Sequence, residues 1–307
     1  MKKDFLSIAD LTADDLNRLI GEAERLKALK KEGAEHALLQ GRSLAMIFEK
    51  ASTRTRLSFE VGMTDLGGHA LFLNPHDMQL GRGEEIRDTA RVLARYVDAV
   101  MIRAYHHEVI EEFARYTAVP VINGLSDKLH PCQVLADILT IRERFGSLEG
   151  LRLAWIGDGN NVCNSLLLSS ALTGMEIAVA SPRGYQPKDA VVEQARSAGA
   201  KISIGHDPAA AVADADILYT DIWVSMGDEA ERAARLRAFA GYTITTELIQ
   251  RASPDAVVMH CLPAHRGEEI TDEAIESPQS IVWDQAENRL HAQKALLVDL
   301  IGTGGRE

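Results

Sequence analysis

Thiols are scarce in this chain of 307 residues: Cys132, Cys163 and Cys261 stand far apart and share no metal-type spacing. A sparse, odd count argues against a disulfide scaffold and fits reduced thiols in a reducing compartment. Positive charge is also in short supply. There are 33 Lys and Arg against 45 Asp and Glu, a formal net charge of −12, which argues against nucleic acid or an anionic membrane surface as partner. No apolar run reaches the ~20 residues of a spanning helix. Met1-Lys2-Lys3-Asp4-Phe5-Leu6 leads into a capped helix without the apolar core of a signal peptide. Repeats are missing, and the only biased tract is the tail Gly302-Thr303-Gly304-Gly305. A cytoplasmic protein is expected. What remains, 46% hydrophobic and 25% charged residues, is ordinary globular material with length enough for two domains.

An acidic protein that takes an anionic ligand must gather its positive charge locally, so the arginine positions carry information. Ser52-Thr53-Arg54-Thr55-Arg56 follows the apolar run Leu44-Ala45-Met46-Ile47-Phe48, which suits a buried parallel strand. Leu57 and Val61 come next, spaced as on the covered face of a helix. At such a strand-to-helix junction the first backbone N–H groups lack partners and the helix dipole is positive, which favours an anion. Arg contributes a planar fork and Ser or Thr a flanking donor. The plain alternative is a capped helix with outward arginines. Two arginines in the first turn oppose the dipole unless an anion joins them, so the stretch reads as a phosphate cradle.

In chain order, Thr12-Ala13-Asp14-Asp15 opens a helix with Leu16, Leu19, Ile20 and Ala23 on one face. Strands are expected over 44–48 and 69–73, then a long polar loop from Asn74 to Glu84. Ile86, Ala90, Leu93 and Val97 mark a helix. The strand over 100–102 ends at Arg103, and a helix near 107–116 leads to a strand over 119–123. A loop from Gly124 to Leu129 delivers His130-Pro131-Cys132-Gln133, with Pro131 suited to a first helical position. In isolation His130 reads as a helix cap. Further strands are expected over 151–156, 177–180, 201–204, 215–220 and 256–259, with a short apolar pair Ile281-Val282 before a final helix from about Asp284 to Ile301.

Strands alternating with helices in both halves imply α/β architecture: two doubly wound parallel-sheet domains. Gly146 to Gly150 breaks the pattern, giving a first domain over 1–146 and a second over 147–283, with the C-terminal helix (about 284–307) packing back on the first. In open α/β sheets ligands bind beyond the carboxyl ends of the strands. Five marked segments lie at such ends: 52–56, 103, 130–133, 221–227 and 260–263. An active site in the cleft between the domains would collect them all. The turn Gly157-Asp158-Gly159 is similar to a nucleotide-binding turn, but the third glycine is missing and Ser181 stands where a ribose-binding acid belongs. No dinucleotide is expected.

Lys50-Ala51-Ser52-Thr53-Arg54-Thr55-Arg56 resembles the carbamoyl-phosphate signature of the aspartate/ornithine carbamoyltransferases. His130-Pro131-Cys132-Gln133, Asp221-Ile222-Trp223-Val224-Ser225-Met226-Gly227 and His260-Cys261-Leu262-Pro263 resemble that family's ornithine branch, in order and spacing, over essentially the whole chain. The resemblance implies transfer of a carbamoyl group from carbamoyl phosphate to the δ-amine of L-ornithine, without a metal or organic cofactor. It implies that Ser52, Thr53, Arg54 and Thr55 bind the phosphate, with Arg289 also facing carbamoyl phosphate. Arg103, His130 and Gln133 would hold the carbamoyl end. Gln79 would reach a neighbouring subunit's site, which makes the active unit a homotrimer or an assembly of trimers. Asn161, Asp221, Ser225 and Met226 would hold ornithine, and Cys261 and the Leu262 backbone would lie beside the reacting amine. Arg103, His130, Cys261 and Asp221 form the catalytic set.

The residue chemistry agrees with this reading. Arginines stabilise charge growing on a departing phosphate, and Arg103, Thr55 and His130 can donate to a carbonyl oxygen turning tetrahedral. Cys261 reads as a positioning group, since no base is placed beside it. Asp221 is a poor residue for a dicarboxylate acceptor such as aspartate; putrescine and acetylornithine are the other acceptors open to such a site. A nicotinamide-dependent oxidoreductase using the 157–159 turn and a non-catalytic anion-binding protein are the alternatives from other classes.

Overall fold

The computed structural model describes residues 4–79, 83–224 and 229–302. Leu80, Gly81 and Arg82 of the expected loop, and Thr303, Gly304 and Gly305 of the tail, lie outside the described residues. The chain divides into two compact units, Met1–Leu139 with Glu287–Glu307 and Thr140–Ala286.

The first unit opens with α1 (Ala13–Lys31), whose Thr12 cap exchanges hydrogen bonds with Asp15 and whose Leu16, Leu19, Ile20, Ala23 and Leu26 are buried. There follow β1 (Ser43–Phe48), α2 (Thr53–Asp65), β2 (His69–Leu73), α3 (Ile86–Leu93), β3 (Ala99–Arg103), α4 (His107–Tyr116), β4 (Val121–Leu125) and α5 (Pro131–Phe145). The strands form one parallel sheet in the order β2-β1-β3-β4. Ala45, Ile47, Val100, Ile102 and Val121 pack with Ala90, Ile110 and Phe113, each large apolar side chain contributing about 1.5–3 kcal/mol on full burial. Phe48 pairs with Arg103 in register, so the end of β3 lies beside the strand that feeds the Ser52 turn.

Three sequence expectations shift here. Leu57 and Val61 are 53% and 38% exposed, and the covered face of α2 is Thr55, Ser58, Phe59, Gly62 and Met63 instead. The α3 helix stops at Leu93, and Val97 is buried beyond its end. The strand expected over 119–123 begins at Val121 and runs through Gly124 to Leu125. Its register slips at Ile102 and Arg103, so that Arg103 faces Leu125. A Cβ on Gly124 would meet Met101 Sδ at 2.4 Å, which is why glycine sits at this irregularity; bulges of this kind re-aim a side chain near a functional site. Phe5 adds an isolated parallel bridge to Ile122 that the polar N-terminus does not advertise.

The second unit contains β5 (Arg152–Ile156), α6 (Asn161–Thr173), β6 (Glu176–Ala180), α7 (Asp189–Ser197), β7 (Lys201–Gly205), α8 (Pro208–Val212), β8 (Ile217–Thr220), α9 (Arg232–Ala238), α10 (Thr246–Ile249), β9 (Val257–His260) and α11 (Asp272–Ile275). Its sheet is parallel throughout, ordered β7-β6-β5-β8-β9. The α12 helix (Val282–Ile301) begins in this unit and ends in the first. Ile281 and Val282 make no strand: Ser280 forms one bridge to Val258, Ile281 N–H donates to the Val258 carbonyl, and Val282 opens the helix. The unit boundaries fall inside α5 and α12, and Gly146, with positive φ, follows the end of α5. Two doubly wound parallel α/β sheets are therefore the architecture of this chain.

The Gly157-Asp158-Gly159 turn follows β5. A Cβ on Gly159 would lie 2.1 Å from the Pro187 nitrogen and 2.2 Å from the Gln186 carbonyl carbon, and Gly159 N–H donates to the Tyr185 carbonyl at 2.8 Å. The glycine admits this chain's own backbone. Replacing Gly159 by Ala should destabilise the protein by about 1–3 kcal/mol through overpacking. Gly21→Ala, on an α1 position with nothing within 4 Å of the new methyl, should stabilise it by about 0.5–1 kcal/mol. Chemical-denaturation midpoints of the two variants check this opposite pair of signs.

Candidate active site

The α2 helix begins where β1 ends, and Ser52 caps it. Ser52 Oγ accepts from Thr55 N–H at 3.3 Å and donates to Thr55 Oγ1 at 3.1 Å. The cap reading and the anion reading of this stretch therefore share one residue. The two arginines separate. Arg56 pairs with Glu60 at 2.9 Å and stacks over Phe72, so it faces the surface. Arg54 is half-buried and close enough to His130 to act on its charge.

Thr55 is reached by the long-range partner of the site. Arg289, buried on α12, donates from Nη2 to Thr55 Oγ1 at 3.0 Å and from Nη1 to Gln133 Oε1 at 2.5 Å. The same Nη1 lies 3.3 Å from His130 Nε2. A guanidinium only donates, so His130 Nε2 accepts and the ring proton sits on Nδ1. Burial pushes the His130 imidazole well below its ordinary titration range, and Arg289, Arg103 and Arg54 push it further. It is a neutral ring among three cations. Thr55, Arg103, His130, Gln133 and Arg289 are all buried, so the positive charge here is held away from water, where its attraction for an anion is stronger. Thr53 stands exposed in the first turn of α2.

The α12 helix is held against α1 and α2 further along. Lys294 Nζ bonds His36 Nε2 at 2.6 Å and Asp65 Oδ2 at 3.2 Å, Lys27 Nζ donates to Asn288 Oδ1 at 2.8 Å, and Arg18 pairs with Asp299. These bonds set the register from which Arg289 reaches Thr55. Gln79 lies exposed in the connection after β2.

In the second unit Asp221 follows β8 and organises a different cluster. Its carboxylate accepts from Asn160 Nδ2 at 2.7 Å, Cys261 Sγ at 2.9 Å and the Ile222 N–H at 2.8 Å. Cys261 uses its thiol proton in that bond, an arrangement for holding a group in place rather than for nucleophilic attack. Sequence reasoning singled out Asn161, which opens α6, but the neighbour bonded to Asp221 is Asn160, whose Oδ1 also caps α6 through Val162 and Cys163 N–H. An asparagine after a glycine turn is a capping signal, and that was the clue available. Ser225 and Met226 lie outside the described residues.

Leu262, the residue after Cys261, has φ +58° and donates its N–H to His260 Nδ1 at 2.8 Å. A branched side chain held in the left-handed region marks a backbone set by its surroundings. Those surroundings are buried polar bonds: His260 Nε2 to Glu269 Oε1 at 3.1 Å, Gln285 Oε1 to His260 N–H at 2.9 Å, and Gln285 Nε2 to Tyr219 Oη at 2.8 Å. Neither Glu269 nor Gln285 carried a motif. Asp221, His260 and Cys261 lie close enough together to suggest a cation site, yet both ring nitrogens of His260 are committed, which leaves a donor set poorly suited to zinc. In the second such group, His265, Glu268 and Glu269, the Glu269 carboxylate already serves His260 and the His265 N–H, and Glu268 pairs with Arg232.

The remaining thiols are packing groups. Cys132 donates to the Asn123 carbonyl at 3.3 Å, and burial pushes its thiol up to about 12; burial also raises Cys163 far above the ordinary thiol range. The dinucleotide alternative loses its site, because backbone 185–187 fills the 157–159 turn, Asn160 occupies the first N–H groups of α6 and Arg235 Nη1 binds Asp158 Oδ2 at 3.0 Å.

Comparison with known proteins bears on both clusters. Residues 3–143 match the model of the aspartate/ornithine carbamoyltransferase carbamoyl-P binding domain, and residues 149–300 match that of the Asp/Orn binding domain. An ornithine carbamoyltransferase of Methanoculleus marisnigri is 75% identical over 304 residues, covering 99% of this chain and 98% of the relative. One from Methanocorpusculum labreanum is 60% identical over 99% of this chain and all of its own length (100%). The structure of ornithine carbamoyltransferase from Pyrococcus furiosus superposes with a TM-score of 0.94 at 52% identity, covering 99% of this chain and 98% of that one. With both domain models matched in order and relatives of this identity aligned from end to end, the chain belongs to the aspartate/ornithine carbamoyltransferase family.

Proposed function

We propose that this protein transfers the carbamoyl group of carbamoyl phosphate to the δ-amine of L-ornithine, releasing L-citrulline and phosphate, a step of arginine metabolism. The observation that carries the donor half is the Arg289 fork: one buried guanidinium bonded to Thr55 and Gln133 and lying against a neutral His130. In this reading Ser52, Thr53, Arg54 and Thr55 bind the phosphate, with Arg289 beside them. Arg103, His130 and Thr55 donate to the carbonyl oxygen, and Gln133 accepts from the carbamoyl amino group. A neutral His130 with its proton on Nδ1 is a hydrogen-bond donor that adds no charge to a crowded cationic site.

The acceptor half rests on Asp221. A carboxylate bonded to Asn160 and Cys261 suits the ammonium of an amino-acid head group and repels a second carboxylate. Asn161, Asp221, Ser225 and Met226 would hold ornithine, and Cys261 and Leu262 would flank its δ-nitrogen. An alkylammonium titrates near ~10 and has no lone pair, so the amine must arrive deprotonated, which nearby cations and desolvation favour. The δ-nitrogen then forms a bond to the carbonyl carbon, the bond from that carbon to the phosphate oxygen breaks, and the departing phosphate takes the amine proton. Holding both reactants in place removes association entropy, worth up to roughly 7–11 kcal/mol in ideal cases.

The reading includes a homotrimer, or an assembly of trimers, in the cytoplasm. The β2 strand lies at the edge of its sheet, and Leu57, Val61, Leu71 and Phe72 are all more than a third exposed. An apolar patch at a sheet edge is a liability in a lone chain and an asset when a second copy covers it. Gln79, exposed after the same strand, would then serve a neighbouring copy. The three free thiols suit a reducing compartment.

Purified protein given carbamoyl phosphate and a panel of amines should form citrulline with ornithine at least about tenfold faster than any product from aspartate, putrescine or acetylornithine, the scale of one lost charged contact; equal rates with aspartate would refute the acceptor reading. Gln79 and Arg103 variants, each inactive alone, should regain part of the activity when their subunits are exchanged, and no recovery after verified exchange would count against shared sites. Acid stability reports on His130. Because the folded ring titrates below its ordinary 6.5, the unfolded chain binds the proton that the native state refuses. Stability from this group is intact above 6.5 and falls as the pH drops from 6.5 toward the folded value. Relative to His130→Asn, the unaltered protein should lose up to about 1.4 kcal/mol per pH unit in that window, read from denaturation curves at stepped pH.

A further inference from the structure

We propose that Asp137 sets the orientation of the Gln133 side-chain amide and thereby the preference for a donor whose acyl carbon carries an amino group. The inference rests on the carbamoyl-transfer reading above. Asp137 lies one turn after Gln133 on α5, on the same face of the helix. The two residues are 0% and 1% exposed. Gln133 Nε2 donates to Asp137 Oδ1 at 2.9 Å, while Gln133 Oε1 accepts from Arg289 Nη1 at 2.5 Å.

The two ends of a glutamine amide are nearly equal in size, so packing cannot choose between them. Here the chemistry of the neighbours does. A carboxylate accepts and a guanidinium only donates, so each tolerates one end of the amide. Turning Gln133 over would press an NH2 group against Arg289 and a carbonyl against Asp137, two repulsive contacts away from water. The carbonyl is therefore held on the side shared with Arg289, His130 and Thr55.

That choice has a consequence for substrate. A carbonyl oxygen has two lone pairs, and Arg289 uses one. The other can accept from an N–H of a bound ligand. Carbamoyl phosphate offers an amino group there, whereas acetyl phosphate offers a methyl of similar size and leaves the buried oxygen short of a partner. A site built to bond an N–H rejects the analogue that lacks it. Asp137 touches neither substrate and acts through Gln133, as a positioning residue.

The test compares the unaltered protein with Asp137→Asn, whose side chain can donate as well as accept, so that only Arg289 still resists the turned amide. Three constants are measured: KM for carbamoyl phosphate, and Ki for acetyl phosphate and for inorganic phosphate. The ratio of acetyl-phosphate Ki to carbamoyl-phosphate KM should fall roughly tenfold in D137N, the scale of one hydrogen bond, with phosphate Ki within about twofold of the unaltered value. An unchanged ratio, or equal weakening of all three ligands, would overturn the proposal. Should D137N fail to fold, the unaltered protein labelled with 15N in its glutamine side chains decides the matter. The Gln133 amide protons should exchange slowly with solvent whether or not carbamoyl phosphate is present, and fast exchange that slows only on its addition would show the NH2 group facing the ligand. Absence of citrulline formation by the unaltered protein would sink the transfer reading itself; an active protein with an unmoved D137N ratio would sink the Asp137 role alone.

Discussion

A single buried guanidinium joins three distant parts of the first unit. Arg289 comes from the last helix, Thr55 from the first turn of α2, and His130 and Gln133 from the start of α5. Removing water from an arginine is costly, and the bonds of its two terminal nitrogens go to a hydroxyl, an amide and an imidazole. Burial, with Arg289, Arg103 and Arg54 beside it, keeps His130 neutral. The region is a preorganised field in which three arginines act on one buried imidazole. A dianionic donor is what such a field suits, and charge growing on a leaving phosphate is stabilised without further rearrangement.

The second unit uses similar structural parts to opposite electrical effect. Both α2 and α6 start after a strand, and both are capped by their own side chains, Ser52 and Asn160. After Ser52 the helix carries Arg54; beside Asn160 stands Asp221 with Cys261. One helix start therefore carries positive charge and the other stands beside negative charge. The fold is common to both and does not choose. The side chains at the strand tips do.

Much of this was legible in the chain. The apolar runs that make β1, β3, β5, β6, β8 and β9 are short and nearly continuous, as strands covered on both faces must be. Capping residues announced α1 and α2. The legible part of the site was its motifs, because Ser52 to Thr55, His130 to Gln133 and Cys261 sit where strands hand over to loops or helices. What escaped was of two kinds. Leu57 and Val61 follow helical spacing but lie on the exposed face, since period reveals a stripe and not what covers it. Asp137, Asn160, Glu269 and Gln285 fall in no motif, and their importance comes from what they bond.

The sequence by itself determined the alternation of strands and helices, the presence of marked charged and hydroxyl residues at strand tips, and the sign of the charge there. These follow from local rules: residue hydrophobicity, the helix dipole and the preferences of caps and turns. Only the tertiary structure decided that Arg289 meets Thr55 across 234 positions, that Arg56 turns to the surface while Arg54 stays beside His130, and that the glycine turn after β5 holds the chain's own backbone. Those outcomes depend on which distant groups share a buried volume, where an unpaired donor or acceptor is penalised, and no local pattern carries that information.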